Sequence, residues 1–308
     1  MRLGVIDIGS NTVHLLVLDA AHGARPVPAA SDSTTVRLMR YLQPDGSISP
    51  DGVGALVDAV ERAAAVNATY RTEQTFVLAT SALREATNGP EVLALLSERA
   101  GVPIEVLSGV DEARLTFLAA RRWYGWGAGR LLLLDIGGGS LEIAAGDDEE
   151  PDVALSVPLG AGRLTRAFLW EADPPTPADV ERLRAHVRAT LRDAVVPAAG
   201  AARPDHVVAT SRTFRSLARL AGMPRDVLGN GRRYRMRRAQ LEDWVPRLAR
   251  LSSADRTVLP GIGEGRARQI VAGAVVAEEA MRALKVDELE ICPWALREGA
   301  ILQRLDHL

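Results

Sequence analysis

The sequence predicts an α/β protein that contains two related domains, and three observations lead to this prediction. Apolar residues recur with the period of strands and then of helices along nearly the whole chain, which is typical of layered α/β folds. Residues 3–12 are echoed by residues 131–140: in both, an apolar strand ends in Asp-Ile-Gly and a small polar turn leads into a second strand. The chain has 308 residues, which is enough for two domains.

The first half of the chain contains four segments with strand character and three with helical character. The helix that begins at Pro50 is preceded by Ser49, and a serine cap with a proline in the first turn is a typical helix start. The predicted strands span residues 3–7, 13–19, 75–79 and 103–107. The other predicted helices cover residues 88–100 and 111–122.

The second half repeats this alternation of strands and helices. Thr176 and Pro177 again give a cap followed by a proline in the first turn. The predicted strands span residues 131–135, 141–145, 206–209 and 288–291. The other predicted helices cover residues 213–221, 265–284 and 294–305.

Composition and charge exclude several classes of protein. The chain is 47% hydrophobic and 25% charged, with a net charge of −2, which is ordinary for a globular protein. Its apolar runs are too short to span a bilayer, and its first residues lack the pattern of a signal peptide. Cys292 is the only cysteine, so we expect neither an internal disulfide nor a zinc cluster. We therefore predict a cytoplasmic protein that binds neither nucleic acid nor a membrane.

One short stretch of the chain is rich in arginine. Its members are Arg225, Arg232, Arg233, Arg235, Arg237 and Arg238. They could form a solvated loop and helix start. They could instead form an anion-binding rim, because guanidinium groups grip phosphate in a bidentate way.

The two repeated turns have the composition of anion-binding loops. Glycine after a strand lets the backbone approach a ligand, and successive main-chain N–H groups can then converge on an anion. Residues 137–140 are Gly-Gly-Gly-Ser, and residues 9–12 are Gly-Ser-Asn-Thr. Asp7 and Asp135 precede these turns, and such carboxylates suit Mg²⁺. One such turn could be an ordinary hairpin, but the matched pair favours a ligand site shared by the two domains.

Residues 108–114 allow two interpretations of an acidic helix start. Ser108 and Asp111 have the spacing of a capping box, and Glu112 would favour the positive end of the helix. In the alternative, Glu112 is a general base that activates water for hydrolysis of a phosphoanhydride. Spacing alone favours the cap.

Two further segments follow predicted strands and offer hydroxyl and arginine side chains. Residues 80–84 (Thr-Ser-Ala-Leu-Arg) include Arg84, which could stabilise the charge of a transferring phosphoryl group. Residues 210–213 (Thr-Ser-Arg-Thr) have the same combination of hydroxyl and arginine side chains after a predicted strand. Residues 261–265 (Gly-Ile-Gly-Glu-Gly) do not directly follow a clear strand, so the dinucleotide-binding fingerprint fails.

Together these motifs resemble those of the exopolyphosphatase / guanosine pentaphosphate phosphatase family. The resemblance covers nearly the whole chain and depends on five motifs in the order of the family. They are residues 7–12, 80–84, 108–114, 135–142 and 295–299. The resemblance implies duplicated actin-like domains with a ribonuclease-H-like core and an interdomain cleft. The first domain would comprise residues 1–122 plus about 296–308, and the second residues 123–295.

The resemblance also implies roles for individual residues. It makes Glu112 the catalytic base and Arg84 a second catalytic residue, and it places a metal ion near Asp7, Asp135 and Glu142. The ion implied is Mg²⁺, with Mn²⁺ as an alternative. The phosphate-binding residues implied are Gly9, Ser10, Asn11, Thr12, Gly137, Gly138, Gly139, Ser140, Ser211, Arg212 and Thr213.

The activity that the resemblance implies is removal of the terminal phosphate of inorganic polyphosphate by a homodimer. Guanosine penta- or tetraphosphate is the alternative substrate or regulator. The chain resembles the short, two-domain form of the family, which suggests a preference for shorter polymers. Arg212 stands where the family often has glycine, and this departure leaves the substrate preference open. Two rivals also stay open: an actin-like kinase, against which Arg212 argues, and a non-catalytic sensor of polyphosphate or alarmone.

Overall fold

The computed structural model of the chain describes residues 1–21, 26–195, 203–227 and 231–307, with the backbone alone for residues 225–227 and 231–233. By its internal contacts the chain divides into two compact units. The first comprises Met1–Leu115 with Leu296–Leu308, and the second comprises Thr116–Ala295.

The strands form two mixed sheets, one in each unit. In chain order they are β1 (Arg2–Ile8), β2 (Thr12–Asp19), β3 (Val27–Thr35), β4 (Gln74–Ala79), β5 (Ile104–Val106), β6 (Leu131–Ile136), β7 (Leu141–Gly146), β8 (Val153–Val157), β9 (His206–Thr210), β10 (Met223–Val227), β11 (Gly231–Arg237) and β12 (Glu288–Ile291).

The described helices separate these strands along the chain. They are α1 (Pro50–Thr69), α2 (Ser81–Glu85), α3 (Gly89–Ala100), α4 (Gly109–Tyr124), α5 (Ala161–Phe168), α6 (Pro177–Ala194), α7 (Ser211–Ala221), α8 (Arg238–Arg250), α9 (Ser253–Arg256), α10 (Glu264–Ala267), α11 (Ile270–Ala283) and α12 (Leu296–Asp306), with 3₁₀ turns at Leu38–Arg40 and Trp126–Ala128. None of them is long and apolar enough to cross a bilayer.

The first unit is a five-stranded sheet in the order β3-β2-β1-β4-β5, with helices on both faces. Alternate residues of a strand point to opposite faces. Ile6 and Ile8 of β1 accordingly pack in the cluster that contains residues of α1 and α3. Leu3 and Val5 pack with Ile301 of α12. Burial on both faces explains why β1 reads as a continuous apolar run.

The second unit is a seven-stranded sheet in the order β10-β11-β12-β9-β6-β7-β8. Its core surrounds α11, in which residues 270–281 are all buried. α11 packs against α5, α6, α7 and α8, so its apolar sequence is that of a central core helix.

The two units repeat one strand plan. In each, a hairpin (β1–β2 or β6–β7) continues into a third antiparallel strand, β3 or β8. The first strand of the hairpin then pairs in parallel with a later strand, β4 or β9. That strand has a further parallel neighbour, β5 or β12. The predicted α/β fold with two duplicated units is confirmed.

Several local predictions were wrong or incomplete. The helix predicted over residues 265–284 is two elements, α10 and α11, separated at residues 268–269. The sequence prediction missed the edge strand β3, which is largely exposed and polar and therefore lacks an apolar alternation. It also missed α5, whose residues include Gly162, a weak helix former.

Replacing Gly299 by alanine should destabilise the first unit. Gly299 of α12 packs against the backbone of Leu115, and an added Cβ would lie 1.8 Å from Leu115 O. Overpacking of this kind typically costs about 1–3 kcal/mol of unfolding free energy. Thermal unfolding should therefore give a lower melting temperature for Gly299→Ala.

The matched control is Gly54→Ala in α1, where no described atom lies within 4 Å of the added Cβ. Alanine at this exposed helical site should leave the protein as stable or more stable. A Gly299→Ala protein that melts no lower than Gly54→Ala would contradict the close packing of α12 on Leu115.

Candidate active site

The two repeated turns close with the same hydrogen bond. Gly9 N donates to Thr12 O at 3.0 Å, and Gly137 N donates to Ser140 O at 2.9 Å. The residue before each of these glycines, Ile8 or Ile136, ends the first strand of its hairpin. The matched turns that the sequence predicted therefore have matched geometry.

In the second unit, the glycine turn is held by the start of α5. Ala161 N donates to Gly137 O at 3.0 Å, and Gly160 N donates to Gly139 O at 3.2 Å. Arg163 adds two hydrogen bonds, from its N to Gly138 O at 2.9 Å and from its Nε to Gly139 O at 2.8 Å. All three glycine carbonyls are thus turned towards α5.

This arrangement fixes the direction of the turn's N–H groups. In a trans peptide the carbonyl and the following N–H point in opposite directions. Because the carbonyls of Gly137, Gly138 and Gly139 face α5, the N–H groups of Gly138, Gly139 and Ser140 face away from it. Successive N–H groups presented in this way can bind an anion.

The first unit uses a comparable device with a different partner. Asn11 O accepts hydrogen bonds from Val36 N and Arg37 N, both at 2.9 Å, and Ser10 O accepts one from Leu38 N at 2.8 Å. The N–H groups of Asn11 and Thr12 consequently point away from the segment 36–38. Both predicted phosphate turns therefore have their carbonyls engaged on one side.

The two interpretations of the start of α4 separate in the structure. Ser108 Oγ accepts a hydrogen bond from Asp111 N at 3.1 Å and contacts the Asp111 carboxylate at 2.5 Å, so these two residues cap the helix. Glu112 is only 7% exposed. Its Oε1 accepts a hydrogen bond from Arg84 Nη1 at 2.6 Å. The same nitrogen donates to Leu107 O, so Arg84 links the end of β5 to Glu112.

Asp7 lies beside a residue of another predicted motif. Arg297 Nη1 of α12 is 3.9 Å from Asp7 Oδ2. Asp7 is also the cross-strand partner of His14 on β2. The motif at residues 295–299 had no predicted role, and it places a guanidinium near the aspartate that precedes the first turn.

In the second unit, Asp135 is the cross-strand partner of Glu142. Glu142 is buried, and its Oε1 accepts a hydrogen bond from Ser156 Oγ at 2.9 Å. Two neighbouring carboxylates provide the oxygen ligands that Mg²⁺ prefers. Within the described residues, no group of three or more His, Cys, Asp or Glu side chains forms a metal cluster. A metal held by Asp135 and Glu142 would therefore need water or substrate oxygens to complete its coordination.

The segments that follow β4 and β9 are alike in the two units. Thr80 and Thr210 have nearly the same extended backbone and immediately precede α2 and α7. Ser211 has a φ of 83°, which is uncommon for a residue other than glycine. Thr213 is buried, and its methyl group lies where a Cβ on Gly273 would meet it. Thr213 is thus placed as a packing residue, and its phosphate contact stays a prediction.

The sequence prediction missed Arg266 as a site residue. Its Nη1 is buried and makes no hydrogen bond within the described residues. Burial, together with the positive charges of Arg212 and Arg215, lowers the pKa of Arg266 to about 10, although the negative charge of Asp135 acts in the opposite direction. The only sequence signal was the glycine-rich segment 261–265, which we had set aside as a failed nucleotide-binding motif. An arginine near Asp135 with a buried, unbonded nitrogen is suited to bind an anion.

The arginine-rich stretch of residues 225–238 has its own counter-charges where its side chains are described. Arg235 and Arg237 pair with Glu288, and Arg238 pairs with Asp287 and Glu242. These contacts favour the interpretation of a solvated surface for these three residues. The side chains of Arg225, Arg232 and Arg233 lie outside the described residues.

Comparisons with known proteins agree with the motifs. The model of the Ppx/GppA phosphatase family matches residues 16–308. The protein named Exopolyphosphatase 1 of Mycobacterium leprae is 49% identical over 306 residues, which cover 99% of this chain and 90% of that protein. The protein of the same name from Mycobacterium bovis is 48% identical over 306 residues, covering 99% and 89%. The chain belongs to the Ppx/GppA phosphatase family.

Solved structures show the same fold. An exopolyphosphatase from Cytophaga hutchinsonii matches with a TM-score of 0.86 and 24% identity, covering 100% of this chain and 99% of that chain. The Ppx/GppA family member of Aquifex aeolicus matches with a TM-score of 0.78 and 22% identity, covering 100% and 98%. The family resemblance predicted from the motifs is confirmed.

Replacing Gly160 by alanine should weaken anion binding by displacing the glycine turn. An added Cβ would lie 2.2 Å from Gly139 C and 2.4 Å from Ser140 N. Because both contacts are with backbone atoms, the turn itself must shift, and its N–H groups would lose their common direction. Calorimetry with tripolyphosphate should show at least about tenfold weaker binding, roughly the effect of one lost charge-assisted hydrogen bond.

Gly127→Ala is the control, since no described atom lies within 4 Å of its added Cβ. It should bind tripolyphosphate like the unaltered protein. Unchanged binding by a folded Gly160→Ala protein would show that the glycine turn is not an anion site.

Proposed function

We propose that this chain is an exopolyphosphatase that hydrolyses the terminal phosphoanhydride of inorganic polyphosphate and releases orthophosphate. The observation that carries the proposal is the contact between Glu112 and Arg84 in the first unit, at 2.6 Å. Ser108 and Asp111 already cap α4, so Glu112 is not needed for capping and is available for chemistry. The curated relatives at 48–49% identity, named exopolyphosphatases, support the choice of substrate.

Glu112 would act as the general base. A base must be held within hydrogen-bond reach of the water that it deprotonates. Arg84 fixes Glu112 Oε1, and Leu107 O fixes Arg84 in turn, so the carboxylate has a defined orientation before substrate arrives. Glu112 would take a proton from water as the water oxygen attacks the terminal phosphorus in line with the leaving phosphate.

The remaining predicted residues would bind and neutralise the polyanion. The N–H groups of the turns at residues 9–12 and 137–140 would donate hydrogen bonds to phosphate oxygens, and Arg84 and Arg266 would add charge-assisted hydrogen bonds. That both turns serve one substrate stays a prediction from their duplication. Thr213 is buried and its Oγ1 makes no hydrogen bond within the described residues, and its contact with phosphate stays a prediction.

A divalent metal fits this set of residues. Asp135 and Glu142 are neighbouring carboxylates of the second unit. We propose that these two residues hold Mg²⁺, with Mn²⁺ as the alternative. Asp7, the penultimate residue of β1 in the first unit, stays a metal ligand predicted by the family resemblance. When bound, the ion would neutralise phosphate charge as a Lewis acid. The cytoplasmic location stays a prediction from the sequence, and the homodimer and regulation by guanosine penta- or tetraphosphate stay predictions of the family resemblance.

Replacing Glu112 by glutamine should abolish most of the turnover. The amide cannot accept the proton of the attacking water, and loss of a general base typically costs about 10²- to 10⁴-fold in rate. Orthophosphate release from polyphosphate in the presence of Mg²⁺ measures the effect, with a melting curve to show that the variant is folded.

Asp111→Asn is the matched control, because Asp111 is a neighbouring exposed carboxylate that caps α4. It should retain nearly all of the turnover. A folded Glu112→Gln enzyme with turnover close to that of Asp111→Asn would remove Glu112 from the mechanism.

A direct comparison of substrates tests the activity itself. Orthophosphate release should be fastest with polyphosphate, slower with guanosine pentaphosphate and least with ATP. Polyphosphates of several lengths should show whether short polymers are preferred, and equal rates would remove that preference. Faster release from guanosine pentaphosphate would reassign the substrate. Tight binding of polyphosphate without release of phosphate would identify a sensor.

A further inference from the structure

Arg256 is a buried arginine that the proposed mechanism does not use. It ends the short helix α9 and is 1% exposed. Its Nε donates to Leu248 O, near the end of α8, at 2.9 Å. Its Nη1 donates to Ala267 O at 3.0 Å. One side chain thus joins two backbone segments that are not adjacent in the sequence.

The second of these segments carries Arg266. Ala267, whose carbonyl Arg256 holds, directly follows Arg266 in α10. The next residue, Arg268, is anchored as well: its guanidinium lies 4.0 Å from the centre of the Trp170 ring and donates to Trp170 O. The backbone that carries Arg266 is therefore fixed by two arginines that are themselves fixed elsewhere.

Arg266 lies in an environment that is costly without an anion. Its Nη1 is buried and makes no hydrogen bond within the described residues. The positive charges of Arg212 and Arg215 repel the guanidinium, and the negative charge of Asp135 offsets this repulsion only in part. A buried donor without a partner costs free energy. The cost is recovered when phosphate oxygens accept from the guanidinium. Because the backbone that carries Arg266 is anchored, this residue cannot move from its position into solvent.

We infer that Arg256 is a positioning residue that holds Arg266 in place to bind phosphate. The inference depends on the proposed function, since that function gives Arg266 its ligand. Arginine suits the role because its planar fork can donate to two carbonyls at once, whereas lysine carries a single point of charge. On the other edge of the fork, Arg256 Nη2 makes no hydrogen bond within the described residues. Asp173, which accepts a hydrogen bond from Ser253 N, lies 3.8 Å from Nη2 and supplies a counter-charge.

The experiment compares Arg256→Lys with Arg121→Lys. Arg121 is the matched control: it belongs to the same unit, is also 1% exposed, and donates to two backbone carbonyls, Gly129 O at 2.8 Å and Gly146 O at 2.9 Å. Both carbonyls lie at the end of the β6–β7 hairpin opposite to Asp135. Both variants should lose thermal stability, so stability alone does not distinguish a positioning role.

Phosphate binding distinguishes it. Calorimetry with tripolyphosphate, well below both melting temperatures, should show about tenfold weaker binding for Arg256→Lys, the equivalent of one lost hydrogen bond to a charged group. Arg121→Lys should bind within about twofold of the unaltered protein, since distant sites act independently. In steady-state phosphate release, Arg256→Lys should raise KM far more than it lowers kcat.

A double-mutant cycle with Arg266→Ala makes the test specific. If Arg256 acts through Arg266, adding Arg256→Lys to Arg266→Ala should weaken binding little further. Fully additive losses, equal losses in the two lysine variants, or normal binding by Arg256→Lys would each overturn the inference. If Arg256→Lys does not fold, Asp173→Asn is tested in its place. This variant should lose less affinity for tripolyphosphate than Arg256→Lys would, and the loss should again be absent when Arg266→Ala is also present.

Measurements on the unaltered protein distinguish a failure of this inference from a failure of the proposed function. Tripolyphosphate binding without phosphate release would remove the hydrolase proposal and leave the positioning role to be judged by calorimetry. Phosphate release with normal binding by Arg256→Lys would remove the positioning role alone. An unaltered protein that neither binds nor hydrolyses polyphosphates would overturn both.

Discussion

The planarity of the peptide bond is the constraint on which the candidate site depends. Because a carbonyl and the next N–H point in opposite directions, a protein can aim N–H groups at a ligand by engaging the carbonyls behind them. The start of α5 does this for Gly137, Gly138 and Gly139, and Val36, Arg37 and Leu38 do it for Ser10 and Asn11. The donors of the turns are thus main-chain N–H groups rather than positively charged side chains. Donors that are held rigidly need little reorganisation when charge develops on a ligand.

The two units contain matched turns, but the residues around the turns differ. The strand-end aspartate faces His14 across the hairpin in the first unit and Glu142 in the second. The element after the last parallel strand carries Glu112 in α4, whereas the equivalent element after β12 carries Arg297 in α12. The first unit therefore contains a buried carboxylate held by Arg84. The second contains paired carboxylates and arginines whose charges act together with that of Asp135.

The sequence predicted the parts of this site that are local. A strand, a glycine turn and a returning strand are specified within ten residues, so the turns at residues 9–12 and 137–140 were found correctly. The support for those turns was missed because it comes from distant segments: Gly160 and Arg163 lie at the start of the short helix α5, and Val36 follows an exposed edge strand. Arg266 was missed for the same reason, since nothing near it in the chain indicates that it lies close to Asp135. The structure shows that Ser108 and Asp111 cap α4, whereas the role of Glu112 as a base stays a prediction.

Local charge, rather than net charge, explains how this protein could bind a polyanion. A net charge of −2 gives no long-range attraction to polyphosphate, and the described arginines of the 225–238 stretch are already paired with acidic residues. At Arg266, by contrast, the positive charges of Arg212 and Arg215 and the negative charge of Asp135 all act on one guanidinium. Such a cluster is stable only if the fold holds it, because repulsion and desolvation both favour its dispersal. Bound phosphate would reduce both the repulsion between the arginines and the cost of their desolvation. Such a cluster would therefore favour an anion with several charges.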